Sequence, residues 1–136
     1  MRYVIDCSFS TALFLPDEKS VEVRDFFIEH EKGDNITVPL LWWYETNNVL
    51  NSAIKRKRLK REDAEAVLRL FDKLALETDT AFGNGYSQDI VSLAQSYGLS
   101  SYDAVYLELA IRKKARLMSL DSALLSAAKK SGIETE

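Results

Sequence analysis

Apolar and polar positions along this chain switch repeatedly between a period of two and a period near 3.6. Residues 2–5, Arg-Tyr-Val-Ile, are aromatic and β-branched and predict a short strand. Residues 8–15 predict a short helix stopped by Pro16, and residues 20–31 a helix with Val21, Val23, Phe26 and Phe27 as its apolar positions. Gly33-Asp34-Asn35 predicts a turn, residues 36–38 a strand, and Pro39 the opening of a helix that runs to about Lys57. Residues 61–76 carry Ala64, Val67, Leu68, Phe71 and Leu74 at helical spacing. An extended piece over 77–82 and a Gly83-Asn84-Gly85 loop precede a helix over 86–97. Gly98 and the pair Ser100-Ser101 read as a stop and a new helix start, with Asp103 in the first turn. From Ala104 to Ile111 only Glu108 is charged, so this helix is predicted to pack on more than one side. Residues 115–119 predict a strand, 122–131 a helix and 133–135 a last edge strand. Strands alternating with helices predict an α/β domain over residues 1–136, a short parallel sheet covered by helices on both faces.

Composition narrows the class. The chain has 136 residues, 46% of them hydrophobic and 29% charged, the balance of a water-soluble globular domain. No apolar run approaches the ~20 residues of a membrane span, and the start, Met1-Arg2-Tyr3-Val4-Ile5-Asp6, is too short an apolar run for a signal peptide. A single cysteine, Cys7, excludes an intramolecular disulfide and fits a reducing cytoplasm. The expected location is therefore cytoplasmic, with no membrane partner.

The net charge of −3 does not suggest nucleic acid, but its distribution does. Lys55, Arg56, Lys57, Arg58, Lys60 and Arg61 crowd around Leu59, and Arg112-Lys113-Lys114-Ala115-Arg116 is a second basic run. Such a run is either a solvated connection or a contact for a phosphate backbone. His30, the only histidine, reads as a C-terminal cap or a solvent-exposed residue, so histidine-pair chemistry, a Ser-His-Asp triad and zinc sites of the Cys/His kind are not expected within one chain. If the protein is an enzyme, carboxylates do the work.

Four acids can be argued to one place. Ligands of a parallel sheet bind at the carboxyl ends of its strands. Asp6 follows the first predicted strand and Asp121 the strand over 115–119. The Asp103 helix runs antiparallel to that strand, so its entrance lies at the same end. Glu45 lies at most about two turns into a helix that begins just after the strand over 36–38. Each acid also has a plain structural reading: Asp6, Asp103 and Asp121 as helix caps, Ser100-x-x-Asp103 as a capping box, Glu45 as part of a polar helix face. Together, four carboxylates at one sheet end would repel one another unless some were protonated or a hard divalent cation such as Mg²⁺ or Mn²⁺ lay among them.

At these residues the chain resembles the PIN-domain ribonucleases, most closely the VapC-type toxins of toxin–antitoxin pairs. The matching segments are Val4-Ile5-Asp6-Cys7-Ser8, the helix after Val38-Pro39 that carries Glu45, Tyr102-Asp103-Ala104-Val105-Tyr106 with Leu109-Ala110, and Ser119-Leu120-Asp121, where Ser stands for the usual Thr. The resemblance implies a PIN-like domain and metal-dependent hydrolysis of an RNA phosphodiester. It implies that Asp6, Asp103 and Asp121 hold one or two Mg²⁺ or Mn²⁺ ions and that Glu45 completes the set or positions the attacking water. Ser8 and Ser119 would then hydrogen-bond the carboxylates or a metal water, and Asn48, one turn after Glu45, would face either the site or solvent. It further implies a cognate antitoxin and a homodimer, for which Leu40-Leu41-Trp42-Trp43-Tyr44 offers more apolar surface than one helix face can bury.

Other readings remain at this point. A PIN-domain nuclease of RNA processing outside a toxin system has the same motifs, although the bare length favours the toxin. A PIN-like binding module without activity is argued against by the intact acidic set. A receiver-like Mg²⁺-binding signalling domain shares the doubly wound class, but it needs a lysine after a late strand, and none is suitably placed here.

Overall fold

In register along the sheet, Val4 lies between Thr37 on one side and Leu117 on the other. This computed structural model describes residues 1–30 and 35–135. Its elements run β1 (Arg2–Ile5), α1 (Cys7–Thr11), α2 (Ser20–Glu29), β2 (Asn35–Pro39), α3 (Leu40–Lys55), α4 (Arg61–Lys73), β3 (Glu77–Asp79), α5 (Asn84–Tyr97), α6 (Ser101–Lys113), β4 (Arg116–Met118) and α7 (Ser122–Lys130). The four strands are parallel throughout, in the order β3-β2-β1-β4. Each connection between them carries at least one helix, as parallel pairing requires.

Successive strand side chains point to opposite faces. Tyr3, Val4 and Ile5 are all buried, so both faces of β1 are covered, as the sequence predicts. On α6 Ala104 and every residue from Tyr106 to Ala110 is buried, and the helix packs against β1, β2, β4, α5 and α7. The predicted many-sided burial of this helix is therefore observed. Leu107 and Leu109 on α6, Leu117 on β4, Leu124 on α7 and Trp42 on α3 lie among the most buried side chains of one continuous core. Each such side chain contributes roughly 1.5–3 kcal/mol by leaving water. Trp42 keeps its polar edge satisfied, its Nε1–H donating to Ser10 Oγ at 2.8 Å.

Several element ends differ from expectation. The first helix begins at Cys7 and stops at Thr11, because the chain tightens after it: the Leu13 and Phe14 N–H groups donate to Ser10 and Thr11 carbonyls three residues back. Pro39 is the last residue of β2 and the cap of α3 rather than its first residue, paired in register with Asp79. Lys57 and Ala75 adopt left-handed backbone (φ 58° and 50°), and so α3 and α4 end earlier than predicted. Gly83, at φ 110°, lets α5 start at Asn84. The extended piece after α4 is the three-residue edge strand β3, and the predicted final strand is one bridge between Leu117 and Thr135. The predicted turn at Gly33-Asp34 lies outside the described residues, as does the predicted end of the second helix at Glu31; the described helix α2 stops at Glu29.

Candidate active site

Asp6 lies one residue beyond β1, where Ile5 pairs with Met118. The Asp6 N–H continues that pairing to the Met118 carbonyl at 3.1 Å. This sets Asp6 beside Ser119, the first residue beyond β4. The Asp6 carboxylate is buried and held on both oxygens. Ser8 Oγ donates to Oδ1 at 2.7 Å and the Phe9 N–H at 2.9 Å, while Ser119 Oγ donates to Oδ2. Both serines are tied to the β4–α7 connection. Ser119 Oγ accepts the Asp121 N–H and Ser8 Oγ accepts the Leu120 N–H, each at 3.0 Å.

These bonds stabilise the ionised form, yet burial outweighs them. Burial pushes the Asp6 carboxyl up to about 6 against the pull of Ser119, Phe9 and Ser8, and the charge of Asp103 adds to the rise. Burial likewise raises Asp103, with the charge of Asp121 adding and Ser100 opposing. It raises Glu45 too, opposed by a hydrogen bond from Tyr106 and assisted by Asp103. The charge of Asp103 thus bears on Asp6 and on Glu45, and that of Asp121 on Asp103.

Their structural roles are partly those of caps. Asp6 caps α1, and Asp121 caps α7 by accepting the Leu124 N–H at 3.0 Å. Ser100 caps α6 by accepting the Asp103 N–H at 3.1 Å, but no bond from the Ser100 N–H returns to the Asp103 carboxylate. The capping box read from the sequence is therefore half made. Glu45 is not on a solvated polar face. It is half-buried, and Tyr106 Oη donates to its Oε1.

Among the described residues no three Asp, Glu, His or Cys side chains converge tightly enough to cage an ion. The donor chemistry nonetheless fits a hard divalent cation. Every candidate donor is a carboxylate oxygen, as Mg²⁺ prefers, and Mg²⁺ retains several waters rather than demanding an all-protein cage. His30 is remote from the acids, its Nε2 2.9 Å from Tyr3 Oη and its ring stacked on Phe26.

The other expectations divide. Asn48 is exposed on α3 and lines a groove beside Val49, Arg56 and Arg58. Lys55, Arg56, Lys57, Arg58, Lys60 and Arg61 are all exposed around the α3–α4 turn, with Arg61 3.6 Å from Glu65. The second basic run is largely consumed inside the fold. Arg112 grips both oxygens of Asp79 at 2.8 and 2.9 Å and also Glu108, while Lys113 meets Glu77 and Arg116 meets Glu134. Of the apolar cluster, Trp42 is buried and Trp43 donates to Thr78 Oγ1, whereas Leu40 and Tyr44 are exposed.

Sequence reasoning missed the role of Tyr106, which it took only as part of a motif. The signal was its spacing, three residues after Asp103 and so on the same helix face. It also missed Ser10, fully buried, which donates to the Asp6 carbonyl at 3.1 Å and accepts Trp42.

A family model described as PIN domain matches residues 3–130. The ribonuclease VapC3 of Pyrobaculum aerophilum is 25% identical over 124 residues, covering 91% of this chain and 92% of that protein. A crystal structure of VapBC2 from Rickettsia felis, bound to a DNA fragment from its promoter, superimposes with a TM-score of 0.69 at 15% identity, covering 100% of this chain and 98% of that one. Mycobacterium tuberculosis VapC20, a toxin that cleaves the sarcin-ricin loop, superimposes with a TM-score of 0.70 at 16% identity, covering 92% and 94%. These last two likenesses are of fold.

Proposed function

This chain belongs to the PIN-domain family, and from that premise we propose that it is a divalent-metal-dependent endoribonuclease, the toxin of a toxin–antitoxin pair. The observation that carries the reading is the bracing of Asp6 by Ser8, Ser119 and the Phe9 N–H at the carboxyl end of β1, with Asp103 coupling it to Glu45 and Asp121. The name of VapC3 supports the activity, and that of VapBC2 supports an antitoxin partner.

In this reading Asp6, Asp103 and Asp121 hold Mg²⁺ or Mn²⁺ and Glu45 completes the set. When bound, the cation polarises the phosphate and acidifies water. The chain's own residues do the rest. Ser8, Ser119 and the Phe9 N–H fix the rotamer of Asp6; Oδ1 accepts two of these bonds and Oδ2 one, so the free lone pair of Oδ2 is the one offered to a cation. Tyr106 occupies Oε1 of Glu45, which leaves Oε2 to take a proton from the attacking water. A glutamate whose proton affinity is raised by burial is a better base near neutral pH than an exposed one. Lys55, Arg56, Lys57, Arg58, Lys60 and Arg61 attract the RNA backbone, and their exposure leaves them available for it.

Leu40 and Tyr44 are the part of the apolar cluster left exposed beside Glu45 and form part of the surface that an antitoxin or a second copy covers. The protein acts in the cytoplasm, where its RNA substrate is. No described helix is long and apolar enough to cross a membrane.

The test is induced expression in a bacterial host, followed by mapping of new RNA 5′ ends. The reading expects growth arrest with discrete new ends, both absent for Asp6→Asn and both relieved by the product of the neighbouring open reading frame. Arrest by Asp6→Asn equal to wild type would contradict it.

A further inference from the structure

One member of the basic run is placed differently from the others. A groove of about 530 Å³ opens beside the acidic centre, and its lining includes Ser8, Thr11, Asp17, Val49, Arg58 and Asp121. A smaller groove of about 210 Å³, lined by Asn48, Arg56 and Arg58 among others, shares Val49 and Arg58 with the first. The two form one trough. Asp121 and the Ser8 that braces Asp6 line the larger groove, Arg56 lines the smaller, and Arg58 lines both.

Arg58 is held at the junction by its backbone. Left-handed Lys57 turns the chain, and the Arg58 N–H donates to the Ala53 carbonyl at 2.9 Å. Its side chain has no ion pair or hydrogen bond among the described residues. Arg112 is tied to Asp79 and Glu108, and Arg61 to Glu65. Asp17, the other acid in the groove, spends Oδ1 on the Lys19 N–H at 2.8 Å. Among the described residues Arg58 is thus a cation without an ion pair, on a fixed backbone, lining the same groove as a candidate ligand of the metal.

We propose that this trough is the path of the RNA strand and that Arg58 takes the phosphate next to the scissile one. This rests on the ribonuclease reading above and adds to it a contact and a direction. An acidic centre repels the polyanion it must cleave, so the strand needs a fixed positive charge close to the reacting phosphate. A guanidinium suits this, since its planar fork binds two phosphate oxygens at once, which a lysine cannot do. Exposed Lys55 lies on the same turn but lines neither groove, and it contributes only to the general field.

The experiment measures binding of the full chain to a fluorescein-labelled single-stranded RNA of mixed sequence in EDTA, where cleavage does not intervene. Wild type, Arg58→Ala, Arg58→Lys and Lys55→Ala are compared over a range of salt. Arg58→Ala is expected to weaken binding about tenfold and to lower the salt slope by about 0.7, one contact on a single strand. Arg58→Lys should keep the slope but recover only part of the affinity, and Lys55→Ala should lose about twofold or less. Equal losses for Arg58→Ala and Lys55→Ala, or full rescue by lysine, would overturn the proposal while leaving the ribonuclease reading intact. Failure of wild type to bind RNA in EDTA would also overturn the proposal, while the ribonuclease reading stands or falls on cleavage with metal restored.

Discussion

Ser119 and Asp6, 113 residues apart in sequence, share a hydrogen bond in which the serine hydroxyl donates to Oδ2 of a buried carboxylate. The same hydroxyl accepts the Asp121 N–H at 3.0 Å. One side chain therefore fixes the position of one candidate ligand and the backbone of another. The short parallel pairing of β1 with β4 is what makes this possible, since it sets the first residues beyond the two strands side by side.

Removing that hydroxyl should have a pH signature. The folded-state pKa of Asp6 lies above its unfolded value, so the folded chain holds more protons between about pH 4 and 6. Asp6 accordingly favours folding least once pH exceeds that window, and its hydrogen bonds matter most there. Ser119→Ala is expected to lower stability by about 1.5–3 kcal/mol at pH 7.5, the range for a hydrogen bond to a charged group. The loss should be smaller at pH 4.5, where Asp6 is protonated. Urea melts at the two pH values check this, and an equal loss at both would assign Ser119 to packing alone.

Tyr106→Phe isolates the orientation of Glu45. The substitution keeps the buried ring and removes the donor to Oε1. The hydrogen bond lowers the proton affinity of Glu45, so its loss should raise that affinity further. The expected result is hydrolysis reduced by about tenfold, less than the roughly 10²–10⁴-fold of a complete general-base contribution because the carboxylate itself remains, with the acid limb of the pH–rate profile moved to higher pH and little change in melting temperature. An unmoved acid limb would show that Glu45 is not the base.

Much of this was legible in the sequence, and the misses have a common cause. The strand–helix alternation and the four acids follow from local patterns, because strand ends and helix starts fix which end of the sheet a residue occupies. Tyr106 was hidden because an aromatic in an apolar helix reads as core, and its partner lies 61 positions away. The basic run at the end of α6 read as a candidate phosphate contact for the same reason. Its partner Asp79 is 33 residues distant, on the edge strand β3, and no local pattern connects the two. Pro39 was placed one residue early because a proline suits both the last position of an edge-paired strand and the first of a helix.

Asp103 raises Asp6 and Glu45 and is itself raised by Asp121, so it is the natural place to relieve their repulsion. Asp103→Asn leaves the Ser100 cap intact, because the capped group is the backbone N–H. Against the relief stands the lost negative charge at a helix N-terminus, about 0.3–1 kcal/mol. The metal-free variant is expected to melt at the wild-type temperature or up to a few degrees above it. Mn²⁺ at a hundredfold over its dissociation constant should stabilise wild type by about 2.7 kcal/mol and the variant by much less. A variant that melts several degrees lower, with Mn²⁺ shifting neither protein, would make Asp103 a capping residue and nothing more.

The central claim is that these carboxylates are a metal-dependent ribonuclease centre, and it is tested most directly by RNA cleavage with protein freed of metal. Wild type and Asp6→Asn, purified in parallel, are incubated with RNA in excess EDTA and then with Mg²⁺ or Mn²⁺ restored. The account predicts no cleavage by either protein in EDTA and, with metal restored, cleavage by wild type alone. Undiminished cleavage by wild type in excess EDTA, or equal cleavage by Asp6→Asn with metal present, would contradict it.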